Sequence, residues 1–169
     1  MPETPEGLLA RLDALGIAAH TVTHPPVFTV EESRALRPAL FGGHSKNLFL
    51  RPARGGGPFL LAVLEETRRV RVNALVRALG APRMEFASPT DLMTQLGVEP
   101  GSVTPLGLVN AAPGAVRPVL DRGLMEGHDL VHFHPLTNTM TTAIRPADLL
   151  RFLRHLGHAP EVAEMPDAG

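Results

Sequence analysis

Cysteine, tryptophan and tyrosine are absent from this chain of 169 residues. Without cysteine there is no disulfide, no thiolate nucleophile and no cysteine-ligated zinc. Aromatic side chains make up 4%, all of them the seven phenylalanines. That is too few for an extended platform on which single-stranded bases stack. An excess of one charge is missing too. The formal net charge is −1, which argues against broad, non-specific nucleic-acid binding while leaving room for a local basic patch. No apolar run approaches the ~20 residues of a membrane span. The opening Met1-Pro2-Glu3-Thr4-Pro5-Glu6 is acidic and lacks the apolar stretch of a signal peptide. A cytoplasmic protein is expected. The length suits one domain over 1–169, with an ordered core from about 5 to about 162.

Lysine is the next scarcity. Of 16 lysine and arginine residues, one is lysine, Lys46. A lysine offers a compact, rotatable ammonium, whereas arginine offers a broad planar fork. Lys46 stands in Phe41-Gly42-Gly43-His44-Ser45-Lys46-Asn47, which runs into Leu48-Phe49-Leu50. The pattern reads as a polar, glycine-hinged loop entering a buried strand, a usual place for a site residue. A drift from lysine to arginine that left one behind would look the same in composition alone.

Along the chain, Thr4-Pro5 caps a helix with Leu8, Leu9, Leu12 and Leu15 as its apolar stripe and Gly16 as its stop. Ala18 to Thr23 reads as a strand, and Thr29-Val30-Glu31-Glu32 as a capping box opening a short helix to Leu36. Phe59 to Leu64 is apolar enough to be buried on both faces. Val72 to Leu79 is helical, Met84 to Ala87 a short strand, and Ser88-Pro89 starts a helix ending at Gly97. Strands are expected over Val116 to Asp121, Asp129 to His134 and Thr139 to Ile144, a helix over Pro146 to Leu156, and an edge strand at Val162. Short helices interleaved with hairpin-like strands predict an α+β domain with a mixed sheet.

The usual catalytic motifs are missing. There is no HExxH, no G-x-S-x-G elbow and no phosphate-binding G-x-x-x-x-G-K-[ST] loop. His132 and His134 share a strand face, and His155 and His158 lie three apart, but short histidine pairs alone make a weak case for metal. Two segments are unusually polar. Gly101 to Pro105 exposes main-chain N–H groups at a glycine stiffened by a proline, a turn able to hold water or an oxyanion and equally able to be an ordinary connection. His134-Pro135-Leu136-Thr137-Asn138-Thr139 sets a histidine and an asparagine beside a proline turn. Arg68, Arg69 and Arg71 form the first candidate basic patch.

Taken in order, His44-Ser45-Lys46-Asn47-Leu48-Phe49-Leu50, Gly101-x-x-x-Pro105-Leu106-Gly107-Leu108 and Phe133-His134-Pro135-Leu136-Thr137-Asn138-Thr139 resemble the YbaK family of aminoacyl-tRNA deacylases. Within it, the stretch from Leu8 to Glu32 is similar to the free-standing prolyl-tRNA editing group. The resemblance runs from about Pro5 to about Val162. Ser45, where relatives often carry threonine, and the glycine-rich Arg54 to Pro58 depart from it.

The resemblance implies a mixed, barrel-like sheet flanked by helices and a hydrolase that removes alanine mischarged onto proline tRNA. It implies Lys46 and Gly101 as catalytic residues. Asn47, Pro105, His134, Asn138, Thr139, Val30 and Phe28 would bind or wall the aminoacyl end, and Arg68, Arg69 and Arg71 would meet tRNA. The implied partner is the acceptor end of mischarged proline tRNA, with prolyl-tRNA synthetase or an elongation factor as transient partners; neither DNA nor a membrane is expected. An aminoacyl ester is already activated, so water, an oxyanion site and a fixed 3′ end suffice, with no cofactor and no metal. The same fold acting on cysteine or another small amino acid, or a non-catalytic tRNA- or synthetase-binding module, stays open. Chelators are expected to leave hydrolysis unchanged; loss in EDTA with recovery on adding zinc would make His132 and His134 ligands instead.

Overall fold

A computed structural model describes residues 1–26 and 42–166. Thr4 starts helix α1 (Pro5–Ala14) by accepting the Gly7 N–H at 3.0 Å, and Leu8 and Leu12 turn inward. Strands β1 (Ala19–Thr23), β2 (Gly43–Pro52) and β3 (Phe59–Glu65) follow. Then come α2 (Val72–Ala78), β4 (Met84–Phe86), α3 (Pro89–Leu96) and a 3-10 helix (Pro105–Asn110). The chain continues through β5 (Val116–Asp121), α4 (Arg122–Glu126), β6 (Val131–Phe133), β7 (Met140–Ile144), α5 (Pro146–His155) and β8 (Glu161–Ala163).

The strands make one mixed sheet in the order β1-β7-β6-β2-β3-β5-β8, with β4 also paired to β2. The β6–β2, β3–β5 and β5–β8 pairs are parallel, and the others antiparallel. Both faces are covered, and the period-2 alternation of β3 divides the core between them. Leu61 and Val63 join Leu92 and Leu96 of α3, Leu106 and Leu108 of the 3-10 helix, and Phe152 of α5. Leu60, Ala62 and Leu64 join Leu75 and Val76 of α2, with Met84. Burying a leucine fully contributes about 1.5–3 kcal/mol, so this doubly covered strand anchors the domain.

Strand β2 is where the sheet opens. Along one edge it pairs with β3 from Ser45 to Leu50. Along the other it meets β6 only at Gly43 and His44, and β4 only from Leu50 to Pro52. Between those attachments, Ser45 to Phe49 have no second strand partner among the described residues. The β6 contact depends on Gly42, which takes φ +125°; a Cβ there would lie 2.5 Å from the Leu130 carbonyl oxygen. Only glycine suits that conformation and approach.

The mixed sheet between helices bears out the expected fold class. The details differ at instructive points. Lys46 lies inside a strand that begins at Gly43 rather than in a loop before it. Strand β6 is shorter than the expected Asp129 to His134, so His134 opens the following turn. Leu106 to Val109 form a 3-10 turn, because Pro105 starts it and the Thr104 side chain accepts the Leu106 N–H. Helix α4 has no apolar period to advertise it and is set by Asp121 as its cap. The short helix expected from Glu31 to Leu36 falls outside the described residues.

Arg68, expected on a basic surface patch, turns inward instead. Its Nε lies 2.6 Å from Oδ2 of Asp121, which is fully buried. Asp121 also accepts the N–H groups of Glu65 (2.9 Å) and Gly123 (3.0 Å). A buried carboxylate needs a counter-charge, and that requirement outweighs solvation of the arginine. Removing one partner of such a pair costs about 3–5 kcal/mol, because the other charge is left buried. Arg68→Ala should therefore lower the unfolding free energy by that order, while the exposed Arg69→Ala changes it by less than about 0.5 kcal/mol. Urea titration of both variants checks this, and equal midpoints would rule out the inward role.

Candidate functional site

Register decides which side chains meet at the opening of β2. Gly43 pairs with Val131 and His44 with His132. His132 pairs in turn with Ala143, and Ala143 with His20. Directly paired residues share a face, and alternate residues along a strand do too. His44, Lys46, His132 and Thr141 are therefore on one face of the sheet. Ser45, Asn47 and Phe133 belong to the other face. A cleft of about 350 Å³, partly open to solvent, is lined by His44, Ser45, Asn47, His132, Phe133, His134 and Thr141. It draws on both faces because it sits where β2 has no second strand partner among the described residues.

Asn47 ties the cleft to a distant loop. Its Nδ2 donates to the carbonyl of Val103 at 2.8 Å, across 56 residues of sequence. That bond fixes the amide orientation, since the carbonyl accepts only. It leaves Oδ1 buried without a hydrogen-bond partner among the described residues. A buried acceptor left unmade costs about 1–3 kcal/mol, which a donor entering the cleft would recover. The loop so anchored carries Gly101, exposed at φ +92°, and the buried Pro105. The Ser102 N–H is taken by the Glu99 carbonyl at 3.0 Å, and the Thr104 side chain is fully buried. Lys46 is half-buried and makes no hydrogen bond or ion pair among the described residues. It shares a face with His44 and His132 without lining the cleft itself.

Imidazoles furnish the polar wall. His44 and His132 stack with ring centroids 4.8 Å apart, and His24 and His134 approach to 6.1 Å. His134 Nδ1 lies 2.8 Å from the Met140 carbonyl oxygen. A carbonyl can only accept, so Nδ1 carries the proton and Nε2 of the neutral ring is an acceptor. Burial holds the His134 pKa below its ordinary value; the Met140 bond opposes the shift and the charge of His24 adds to it. By the same logic His24 Nδ1 donates to the Pro25 carbonyl at 2.8 Å, and its Nε2 lies 2.7 Å from the Thr141 hydroxyl. The turn after His134 is strained. Leu136 sits at φ +70°, the one positive value outside glycine among the described residues. Such a conformation costs about 1–3 kcal/mol and persists only when its surroundings enforce it; here the Leu136 N–H donates to the His134 carbonyl at 3.0 Å and its side chain is buried.

The opening therefore brings together Asn47 and His134, which the sequence holds far apart, with the loop from Gly101 to Pro105 joined to Asn47 through Val103 and Lys46 on the other face of the same strand. Asn138 and Thr139 lie half-buried in the turn beyond His134. Thr139 is joined to Thr137 through hydroxyls 3.0 Å apart, and its carbonyl accepts the His24 N–H at 2.9 Å. Arg69 and Arg71 are exposed beside α2, away from the cleft lining, and Arg68 is committed to Asp121. Phe28 and Val30 lie outside the described residues. His24, His44 and Thr141 were not singled out by the motifs. The signal that finds them is period 2 combined with register, which needs the strand pairing. His155 is exposed, whereas His158 is buried with Nε2 2.8 Å from the Leu108 carbonyl oxygen. Among the described residues no three His, Asp or Glu side chains are grouped to hold a metal ion.

Known proteins share the family and the fold. The profile of the aminoacyl-tRNA editing domain matches residues 24–152. The prolyl-tRNA synthetase associated domain-containing protein 1 of Bos taurus is 41% identical over 153 residues, which cover 89% of this chain and 88% of that protein. A prolyl-tRNA editing protein of Acetoanaerobium sticklandii is 29% identical over 160 residues, 95% of this chain and 96% of its own. A solved structure described as a candidate trans-editing enzyme for prolyl tRNA synthetase superposes with TM-score 0.73 over 98% of this chain and 97% of its own. At 22% identity that likeness speaks to the fold alone.

The depressed pKa of His134 gives a pH signature. The unfolded ring titrates near its ordinary 6.5, the folded ring lower. Between those values the unfolded state binds the extra proton, so stability is full above about 6.5 and falls as pH drops through the folded pKa. His134→Gln should flatten that limb of a stability-against-pH curve. An unchanged slope would assign the acid sensitivity to another group.

Proposed function

Because the chain belongs to the aminoacyl-tRNA editing domain family, we propose that it is a free-standing hydrolase that removes alanine mischarged onto proline tRNA. The observation that carries the reading is the Asn47–Val103 hydrogen bond. It brings the strand holding the only lysine against the glycine–proline loop, at an opening bordered by a neutral histidine. The names of the relatives point to prolyl-tRNA editing. The choice of alanine rests on the sequence resemblance.

The reaction needs water to attack the ester carbonyl carbon. The bond from that carbon to the terminal ribose oxygen then breaks, the water's hydroxyl stays on the acyl carbon and its other proton goes to the ribose oxygen. Alanine and a tRNA with a free terminal hydroxyl result. Gly101 presents main-chain N–H at the loop, suited to the attacking water or to the oxyanion that forms on the carbonyl. Asn47 Oδ1 and His134 Nε2 are acceptors, and the amino group of alanine is a donor that would satisfy them. Asn138 and Thr139, in the turn beyond His134, are assigned to the aminoacyl end by the resemblance. Lys46, carrying no competing ion pair, holds a phosphate of the 3′ end as a point charge and fixes the ester in place. The 2′ hydroxyl beside the ester is the remaining polar group near the carbonyl and assists proton transfer. Exclusion of proline is steric, with Phe28 and Val30 assigned as further walls by the resemblance. Arg69 and Arg71 meet the tRNA backbone.

Two measurements test the reading together. Lys46→Ala should lower single-turnover deacylation of alanyl proline tRNA by about 10²–10³, the usual loss for one well-placed stabilising group. Lys46→Arg should also fall, since the fork is broader than the ammonium. Wild type should hydrolyse the alanyl ester well and the prolyl ester poorly, because overpacking a close pocket costs about 1–3 kcal/mol, or roughly 5- to 150-fold. Equal cleavage of both esters would overturn the alanine assignment. Full activity in Lys46→Ala would overturn the role of the lysine.

A further inference from the structure

Phenylalanine 86 does not behave like the other described aromatics. Phe49, Phe133 and Phe152 are buried, and Phe59 is half-buried and stacked on Phe49. Phe86 is 61% exposed. A ring left in water at the end of a three-residue strand adds nothing to the core, so its use lies outside the fold.

Its position is defined by pairing. Phe86 lies directly opposite Leu50, and Leu50 is two pleats along β2 from Lys46. Paired and alternating residues share a face, so Phe86 and Lys46 are on the same face of the sheet. Four residues at ~3.3 Å per residue put them about 13 Å apart along the strand. The stretch between them is the part of β2 with no second strand partner among the described residues. The neighbouring element on that face is α2, whose Leu75 and Val76 pack with Leu50 and Met84. Around α2, Arg69, Arg71, Arg77 and Arg83 are exposed. None of the four forms an ion pair among the described residues, and Arg77 and Arg83 line one hollow together with Asn73. By contrast Arg11, Arg51, Arg117 and Arg122 are each paired with a glutamate.

We propose that Phe86 is a stacking platform for a base of the single-stranded 3′ end of tRNA, upstream of the terminal adenosine, with the arginines around α2 holding the backbone behind it. The proposal rests on the tRNA-deacylase reading above and extends it to the path by which the strand reaches the cleft. An aromatic face accepts any base, and cationic side chains beside it meet the phosphates; together they form the sequence-tolerant way of gripping single-stranded nucleic acid. A single ring also agrees with a composition too poor in aromatics for a longer platform. Threading the strand over Phe86 and past Lys46 delivers its last ester to the opening between β2 and β6. A protein partner docked on an apolar patch would want more than one exposed ring, and Met93, the nearest large apolar side chain in sequence that is exposed, belongs to α3, which packs on the opposite face.

The absence of tryptophan and tyrosine makes the test clean. Phe86→Trp introduces the only indole in the chain at an exposed position that tolerates it. Titration with uncharged proline tRNA should quench its fluorescence. The same tRNA lacking its 3′-terminal CCA should bind with little quenching. Deacylation should be retained by Phe86→Trp and weakened by Phe86→Leu and Phe86→Ala by roughly 5- to 150-fold at subsaturating tRNA, the range for loss of one stacked base. That loss should vanish at saturation, because the ring touches no reacting atom. Binding without quenching overturns the stacking role. Equal quenching by intact and truncated tRNA places the stacked base outside the 3′ end and overturns the path. Unchanged tRNA affinity in Phe86→Ala, with lost affinity for prolyl-tRNA synthetase, would make the patch a protein contact. If wild type neither binds tRNA nor hydrolyses its ester, the deacylase reading falls and the proposal falls with it.

Discussion

One strand must serve three neighbours. Over its ten residues β2 pairs with β3 along one edge, and divides the other edge between β6 at its start and β4 at its end. Among the described residues these two short partners leave that edge without a paired strand from Ser45 to Phe49, where the Phe49 carbonyl accepts the Ala87 N–H at 3.0 Å. Everything polar in the site follows from it. Gly42 lets the chain enter close to Leu130, which seats His44 against His132. The alternation of the strand then distributes Lys46 to one face and Asn47 to the other, with the opening between them. A sheet with a full-length neighbour here would be better hydrogen-bonded and would have no site.

The gap is held open by groups that satisfy each other rather than by core packing. Asn47 reaches across it to Val103, and His134 and His24 use one ring nitrogen each on a carbonyl. Each bond settles an orientation that solvent would leave free, and each leaves a second polar atom with a defined character. The Asn47 oxygen and the outer nitrogen of a neutral His134 are both acceptors. Burial, which lowers the His134 pKa, preserves that character near neutrality. A site walled by acceptors, beside an ammonium with no ion pair among the described residues, is suited to a ligand that brings donors at one end and phosphate at the other.

The sequence disclosed much of this, and where it did not the reason is physical. Leu60 to Leu64 reads as doubly buried because both parities are apolar. The Ser88 cap and Gly97 stop mark α3 because both act locally, through the Asp91 N–H and a left-handed glycine. The family resemblance follows from three ordered motifs, and the matching domain profile and relatives bear it out. Helix α4 and the inward turn of Arg68 were hidden, since both depend on Asp121 becoming buried between elements distant in sequence. Nothing in Arg68-Arg69-x-Arg71 distinguishes a counter-ion from a surface charge. The histidine wall was hidden for a related reason: His24, His44, His132 and His134 become neighbours only after β1, β2, β6 and β7 take their register. Periodicity assigns a face to each residue within a strand but cannot say which strands share it.

Net charge hid a segregation of the same origin. A value of −1 suggests a surface indifferent to nucleic acid, yet the carboxylates are not spread evenly over the arginines. Glu85 and Glu161 neutralise arginines that join neighbouring strands, Glu3 and Glu126 neutralise arginines close to them in sequence, and Asp121 neutralises Arg68 in the interior. Around α2 no such partners are present among the described residues, so positive potential survives on the sheet face that carries Lys46 and Phe86. Close pairs cancel at distances beyond their own separation, while unpaired charges project across about a Debye length, ~8 Å at physiological salt. A chain can thus be nearly neutral overall and still offer one face to a phosphate backbone. The small number of arginines without an ion pair there keeps that attraction modest.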